Sequence, residues 1–364
     1  MSTLHNIALT FIKSIGPVNA KNLLAYCGSA EKIFSASKSQ LLQIPGIGEK
    51  TVESILKTDA LDRAADELAF VQKHGIDVLF FSDENYPKRL KNCVDAPILL
   101  YFKGIADLNH SRIISIVGTR NATDYGRQLC KQLCELLAPY NVLIVSGLAY
   151  GIDVSAHKEC IANNIATVGV LGHGLDRLYP SMHKTVSQKM ALNGGLLSEY
   201  PTQTNPDRQN FPKRNRIIAG IADATIVVEA SIKGGALITA EIANSYNKDV
   251  YAFPGRTNDV FSEGCNFLIK TNRAGLINNA NDLIYYLGWD DEVKEQRRSA
   301  QTTLQLNLTP NEQKVVAALK DGSMAIDELC ISLNLPQSKL AIVILTLEMQ
   351  GILISLPGKV YKLA

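Results

Sequence analysis

Apolar residues along the chain recur in three rhythms, and each rhythm predicts a different architecture. Through residue 70 they form short helical stretches divided by tight turns, at Ser14-Ile15-Gly16-Pro17 and at Ile44-Pro45-Gly46-Ile47-Gly48. Residues 78–81 and 98–102 are predicted as short strands with a turn-rich stretch between them. A regular alternation follows, in which the apolar runs 113–117, 142–145, 167–171, 196–198, 225–228 and 250–253 are separated by segments of helical period. Brief runs apolar on both faces, with helices between them, predict a parallel, doubly wound sheet. Glycine closes several of these runs: Gly118-Thr119-Arg120 after the first, Gly147 after the second, Gly172-His173-Gly174 after the third, and Lys233-Gly234-Gly235 after the fifth. Open α/β sheets bind ligands at that edge.

The third rhythm begins after a polar, charged stretch, 290–305, which reads as a linker. Thr309-Pro310 with Glu312 opens a helix, two more follow near 325–333 and 337–350, and a hairpin turns at Pro357-Gly358. This is the outline of a winged helix. The expected domains are therefore 1–75, all α; 76–288, a sheet domain with an N-terminal extension; 289–308, a linker; and 309–364, a winged helix.

Composition narrows the function classes. With 46% hydrophobic and 20% charged residues the chain is globular, and a net charge of +2 confines any nucleic-acid surface to a local patch. No run approaches the roughly 18 apolar residues of a membrane span and the start carries no basic leader, so a cytoplasmic protein without membrane contact is expected. Seven cysteines without a CxxC fit neither a disulfide framework nor zinc. Cys130 and Cys134, one helical turn apart, suit a buried helix face. No metal site is expected. No cofactor is expected either, because GxGxxG and GxxxxGK[ST] are both absent.

The densest chemistry lies between Asn210 and Gly255. Arg208, Lys213, Arg214 and Arg216 stand against the single acid Asp207, with Phe211 among them, and cations beside an aromatic suit phosphates and bases. A strand, a glycine turn at Gly234-Gly235 and a helix then aim backbone N–H groups at an anion. The plain alternative is a solvated basic loop beside an ordinary turn. The Ile44 to Gly48 turn resembles a helix-hairpin-helix, which contacts DNA phosphates or serves as scaffold or protein contact; seven cations and seven acids balance over 1–70. The third helix of the winged helix is almost wholly apolar, with Lys339 its only cation, so protein contact is favoured there over base reading. Asp153 and His157 share a helix face as an acid–base pair or as a structural pair bonded to each other, and Glu229 and Glu241 could act as carboxylates over a sugar.

Taken in order, Gly118-Thr119-Arg120, Ser146-Gly147-Leu148-Ala149, Gly151-Ile152-Asp153 to His157, Leu171 to Asp176 with Tyr179-Pro180, Ser198-Glu199-Tyr200-Pro201, Phe211-Pro212-Lys213-Arg214-Asn215-Arg216 and Gly234-Gly235-Ala236-Leu237 resemble the DNA-processing protein A family, DprA or Smf. The resemblance implies a Rossmann-like core between a helix-hairpin-helix (SAM-like) domain and a winged helix. It further implies a non-enzymatic homodimer that binds and protects single-stranded DNA and loads RecA in natural transformation and recombination. Carried onto this chain, the DNA pocket comprises Gly118, Thr119, Arg120, Lys213, Arg214, Asn215 and Arg216, with Phe211 as a stacking platform. Gly147, Gly172, Gly234 and Gly235 join them at the sheet edge, their amides facing the backbone and the 213–216 loop adding mobile cations. A nucleotide phosphoribohydrolase on a similar sheet is the alternative. Its Pro-Gly-Gly-x-Gly-Thr pattern is broken here by Lys233 and by Leu237-Ile238.

Overall fold

The computed structural model of the chain describes residues 3–289, 308–320, 322–356 and 358–363. Six helices come first: α1 (Thr3–Phe11), α2 (Pro17–Cys27), α3 (Ala30–Ser35), α4 (Lys38–Leu42), α5 (Glu49–Leu56) and α6 (Ala60–His74). Pro17 sits in the first turn of α2, where its missing N–H costs nothing, and Gly46 in the second hairpin has φ +82°, a conformation open chiefly to glycine.

β1 (Asp77–Phe80), the short helix α7 (Lys88–Lys91) and β2 (Leu99–Gly104) lead into the alternating part. There β3 (Ile113–Val117), α8 (Asp124–Leu137), β4 (Leu143–Ser146), α9 (Ile152–Ala162), β5 (Thr167–Leu171), α10 (Lys184–Asn193) and β6 (Gly195–Ser198) form one half. α11 (Asn210–Ile221), β7 (Ala224–Val227), α12 (Gly235–Ser245), β8 (Asp249–Ala252), α13 (Glu263–Lys270), β9 (Gly275–Leu276) and α14 (Ala280–Tyr286) form the other. The nine strands make one sheet in the order β1-β2-β6-β5-β4-β3-β7-β8-β9. From β6 to β9 every pairing is parallel, whereas β1 and β2 add themselves antiparallel beside β6.

The continuous apolar runs have a simple cause. Ile113, Val117, Leu143 and Val145 point into the core beneath α11 and α12, while Ile114, Ile116 and Ile144 point into the core beneath α8 and α9. Alternate residues thus fill two cores, as a parallel sheet covered on both faces requires. Cys130 and Cys134 are buried on the inner face of α8.

The helical module is not separated from the sheet. Its core residues Ile7, Leu23, Val52 and Val71 belong to one cluster with Phe80, Leu99 and Tyr101 of β1 and β2. Glu67 of α6 is buried and accepts hydrogen bonds from the amide of Thr202 at 2.9 Å and from Arg63 at 3.0 Å. Residues 1–290 accordingly form a single compact unit.

The second unit contains α15 (Pro310–Ala318), β10 (Met324–Ala325), α16 (Ile326–Leu333), α17 (Gln337–Met349), β11 (Leu353–Leu356) and β12 (Val360–Leu363), with the antiparallel sheet order β10-β12-β11. Glu312 accepts from the Thr309 amide at 2.7 Å, which caps α15. Ile342, Leu345 and Met349 of α17 stay exposed. The expected linker at 289–308 falls almost wholly outside the described residues. No single described helix is long and apolar enough to cross a membrane; α16 and α17 reach that composition together, but they turn by 112° and their inner faces make this unit's core.

Candidate nucleic-acid interface

β3 and β7 are neighbours, yet β3 continues to β4 on one side and β7 to β8 on the other. Such a reversal opens a crevice at the carboxyl ends of the two strands. A cleft of about 380 Å³ lies there, walled by Gly118, Thr119 and Arg120 after β3, by Gly234, Gly235 and Thr239 after β7, and by Phe211, Arg214 and Asn215 from α11.

The structure corrects the expected basic loop. Residues 210–221 are helix, because Pro212 falls in the first turn where proline is tolerated, and Ile217, Ile218 and Ile221 anchor the inner face. Arg214 lies on that same face, three, four and seven residues before these isoleucines, so it is buried at 3% exposure. This spacing was the available signal. Its Nη1 donates to the Gly147 carbonyl at 2.8 Å and to the Val170 carbonyl. Burial pushes the guanidinium down to about 10, with Asp153 opposing, and pushes the Asp153 carboxyl up, with Arg214 opposing. The arginine therefore remains a cation at neutral pH. Arg216 points elsewhere, forming an ion pair with Glu199 and donating to the Asp95 carbonyl at 2.7 Å. Neither is a mobile cation. Lys213, Arg208 and Arg120 are exposed and form no ion pair among the described residues.

The glycines also serve a different purpose from the expected baring of amides. A Cβ at Gly147 would stand 2.5 Å from both the Arg214 guanidinium and the Asp153 carboxylate, so only glycine leaves room for that pair. A Cβ at Gly172 would press on the Phe211 ring at 3.3 Å. The Thr119 amide donates to the Glu229 carbonyl at 2.7 Å and the Gly234 amide to the Ser231 carbonyl at 2.9 Å. What remains for an anion is the amino end of α12, where the Gly235 and Ala236 amides have no intrahelical acceptor. Asn215 reaches across, its side-chain amide 3.5 Å from the Gly235 carbonyl. On the opposite wall the Arg120 guanidinium stands 5.5 Å from the Phe211 ring centre, and the Tyr179 ring lies 5.9 Å from Phe211.

The candidate catalytic groups are engaged in the fold. His157 does not bond to Asp153: its Nδ1 meets the Thr167 hydroxyl at 2.7 Å, and that hydroxyl donates to the Ile144 carbonyl at 3.0 Å, which assigns the ring proton to Nδ1. Burial lowers this imidazole to about 3. Glu229 accepts from the Thr123 amide at 3.0 Å and its hydroxyl at 2.5 Å, fixing the start of α8, and Glu241 pairs with Arg273 at 2.5 Å on the surface. The described residues contain no group of three or more metal ligands. Sequence reasoning missed Asp153 as the partner of Arg214 and Tyr179 as a neighbour of Phe211. Both contacts join residues distant in the chain, and no local period marks them.

Three family profiles match the chain: DNA recombination-mediator protein A over residues 77–288, a SAM-like helix-hairpin-helix tandem over 7–58, and the DprA winged helix domain over 299–359. Protein Smf of Synechocystis sp. is 32% identical over 391 residues, covering 98% of this chain and 97% of that protein. DNA processing protein DprA of Bacillus subtilis is 39% identical over 198 residues, 54% of this chain and 67% of its own. The X-ray structure of DprA from Streptococcus pneumoniae superposes with a TM-score of 0.68 at 30% identity, covering 78% of this chain and 98% of its own. DNA processing protein A from Helicobacter pylori, described for its single-stranded DNA binding mode, gives a TM-score of 0.54 at 32% identity over 59% and 96%.

Proposed function

Because the chain belongs to the DNA recombination-mediator protein A family, DprA or Smf, we propose that it binds single-stranded DNA in the cleft between β3 and β7. The observation that carries this reading is the pairing of Arg120 and Phe211 across from the amino end of α12. A phosphate would take the Gly235 and Ala236 amides, Arg120 and the exposed Lys213 and Arg208 would neutralise its neighbours, and an unstacked base would lie on Phe211. Preference for single strands follows, since a duplex keeps its base faces covered. Gly118, Thr119, Gly234, Asn215 and Arg214 then shape the walls, Gly147 and Gly172 leave room for Arg214 and Phe211, and Arg216 braces α11 through Glu199.

The protein binds and protects incoming DNA in the cytoplasm and delivers RecA onto it during transformation and recombination; this part rests on family membership. No turnover is involved: Glu229 and Glu241 are committed to Thr123 and Arg273, and Asp153, the one carboxylate lining the cleft among the described residues, faces Arg214. A homodimer fits the open outer edge of β9, where Leu276 is exposed and backbone groups await a partner strand.

Two substitutions test the cleft. Arg120→Ala should weaken binding to every oligonucleotide and flatten the slope of log K against log salt by about 0.7. Phe211→Ala should cost about 1–3 kcal/mol and leave the slope unchanged. Wild-type affinity for oligo-dT in both variants would overturn the placement.

A further inference from the structure

We propose that Tyr179 is a second stacking platform, over which the single strand continues from the Phe211 pocket along the carboxyl ends of β5 and β4. This rests on the single-strand reading of the cleft and extends the site by at least one nucleotide. Tyr179 is 45% exposed although its backbone amide is held. Its amide donates to Nε2 of His173 at 3.2 Å, and the buried His173 donates from Nδ1 to the Gly174 carbonyl at 2.9 Å. The Ser198 hydroxyl in turn donates to the His173 carbonyl at 2.7 Å. A turn fixed by three hydrogen bonds thus presents an aromatic face to solvent, and the Tyr179 hydroxyl has no partner among the described residues.

The ring contacts Phe211 at 5.9 Å between centres with a 45° tilt. A base inserted between parallel rings needs about 7 Å, twice a normal contact distance. No base fits between the two rings, so the face Tyr179 offers is its outer one, and the two side chains would take separate bases. Tyr150, after β4, is a further exposed ring at the carboxyl ends of the strands: it is 40% exposed and stands edge-on to the buried His183 at 5.3 Å, four residues beyond Tyr179 and itself anchored to the Leu148 carbonyl at 2.9 Å. The exposed Lys184 beside His183 supplies a cation for the backbone at that end.

The test compares oligo-dT of about 8 nucleotides with thymidine monophosphate, which fills the Phe211 pocket alone. In the full chain, Tyr179→Ala and Tyr179→Leu should each weaken the oligonucleotide by about 5- to 150-fold, the value of one base stacked on one ring. The salt slope and the monophosphate affinity should stay as in the wild type, and Tyr179→Phe should restore oligonucleotide binding. Unchanged oligonucleotide affinity in Tyr179→Ala and Tyr179→Leu overturns the proposal. So does an equal loss for the monophosphate, which would make Tyr179 a prop for Phe211, and so does a loss in Tyr179→Phe as large as in Tyr179→Ala. Failure of the cleft itself looks different: Phe211→Ala and Arg120→Ala would then bind the oligonucleotide like wild type.

Discussion

Replacing Arg214 separates a structural cation from a DNA-binding one. In Arg214→Ala the carbonyls of Gly147 and Val170 lose their donor, and Asp153 loses the charge that opposes its burial. Removing one partner of a buried charged pair costs about 3–5 kcal/mol, far above the worth of an exposed pair. At about 2–4 °C per kcal/mol for a large domain, the unfolding midpoint should fall by roughly 6–20 °C. Without the guanidinium the Asp153 carboxyl rises further, so the folded variant binds a proton more readily than the unfolded chain and the loss should be smaller at pH 5 than at pH 7.5. Adding Asp153→Asn should recover part of the stability for the same reason. Calorimetry or urea unfolding at the two pH values reads these effects, alongside salt-dependent binding of oligo-dT under conditions where the variant stays folded. The reasoning is refuted if Arg214→Ala unfolds like wild type while its salt slope drops by about 0.7, because Arg214 would then be neutralising a phosphate.

His157 gives a second pH effect of opposite origin. Its imidazole is protonated near 6.5 when unfolded and only near 3 when folded, so stability is intact above 6.5 and falls by about 2 kcal/mol between pH 7 and pH 5; equal pH dependence in wild type and His157→Gln would contradict it. Truncation after Asp290, which keeps the buried Trp289, should change single-strand affinity by less than about threefold, or roughly 0.65 kcal/mol, because α17 offers Lys339 as its only cation; a tenfold loss in a titration would assign DNA contact to the winged helix. Light scattering at micromolar concentration should report twice the monomer mass, and disruption of β9 by Leu276→Pro should return one.

The sheet was legible because its strands are buried on both faces, which writes them as unbroken apolar runs. Ile113 to Val117 shows this, with alternate residues entering different cores. The antiparallel addition of β2 to β6 was not legible: Tyr101 meets Ser198 across the chain, and nothing in a strand's own period names its partner. The crevice could be placed from glycines at strand ends, yet their role was misread. At Gly147 and Gly172 the missing side chain admits Arg214 and Phe211, and that depends on contacts from an element more than thirty residues away. Arg208, Lys213, Arg214 and Arg216 look alike as charges in a row. Once Pro212 is allowed into a first helical turn, the register with Ile217, Ile218 and Ile221 separates buried Arg214 from exposed Lys213.

Titration of the wild-type protein with labelled oligo-dT and with a matched duplex, at two salt concentrations, tests the central claim most directly. Arg120 and Arg208 are exposed cations lining the cleft and Lys213 is exposed two residues beyond Phe211, and two or three neutralised phosphates give a slope of log K against log salt of about −1.4 to −2.1 per protomer. The account predicts that slope, with oligo-dT bound more tightly than duplex at both concentrations. Duplex binding as tight as oligo-dT, or oligo-dT affinity indifferent to salt, would contradict it.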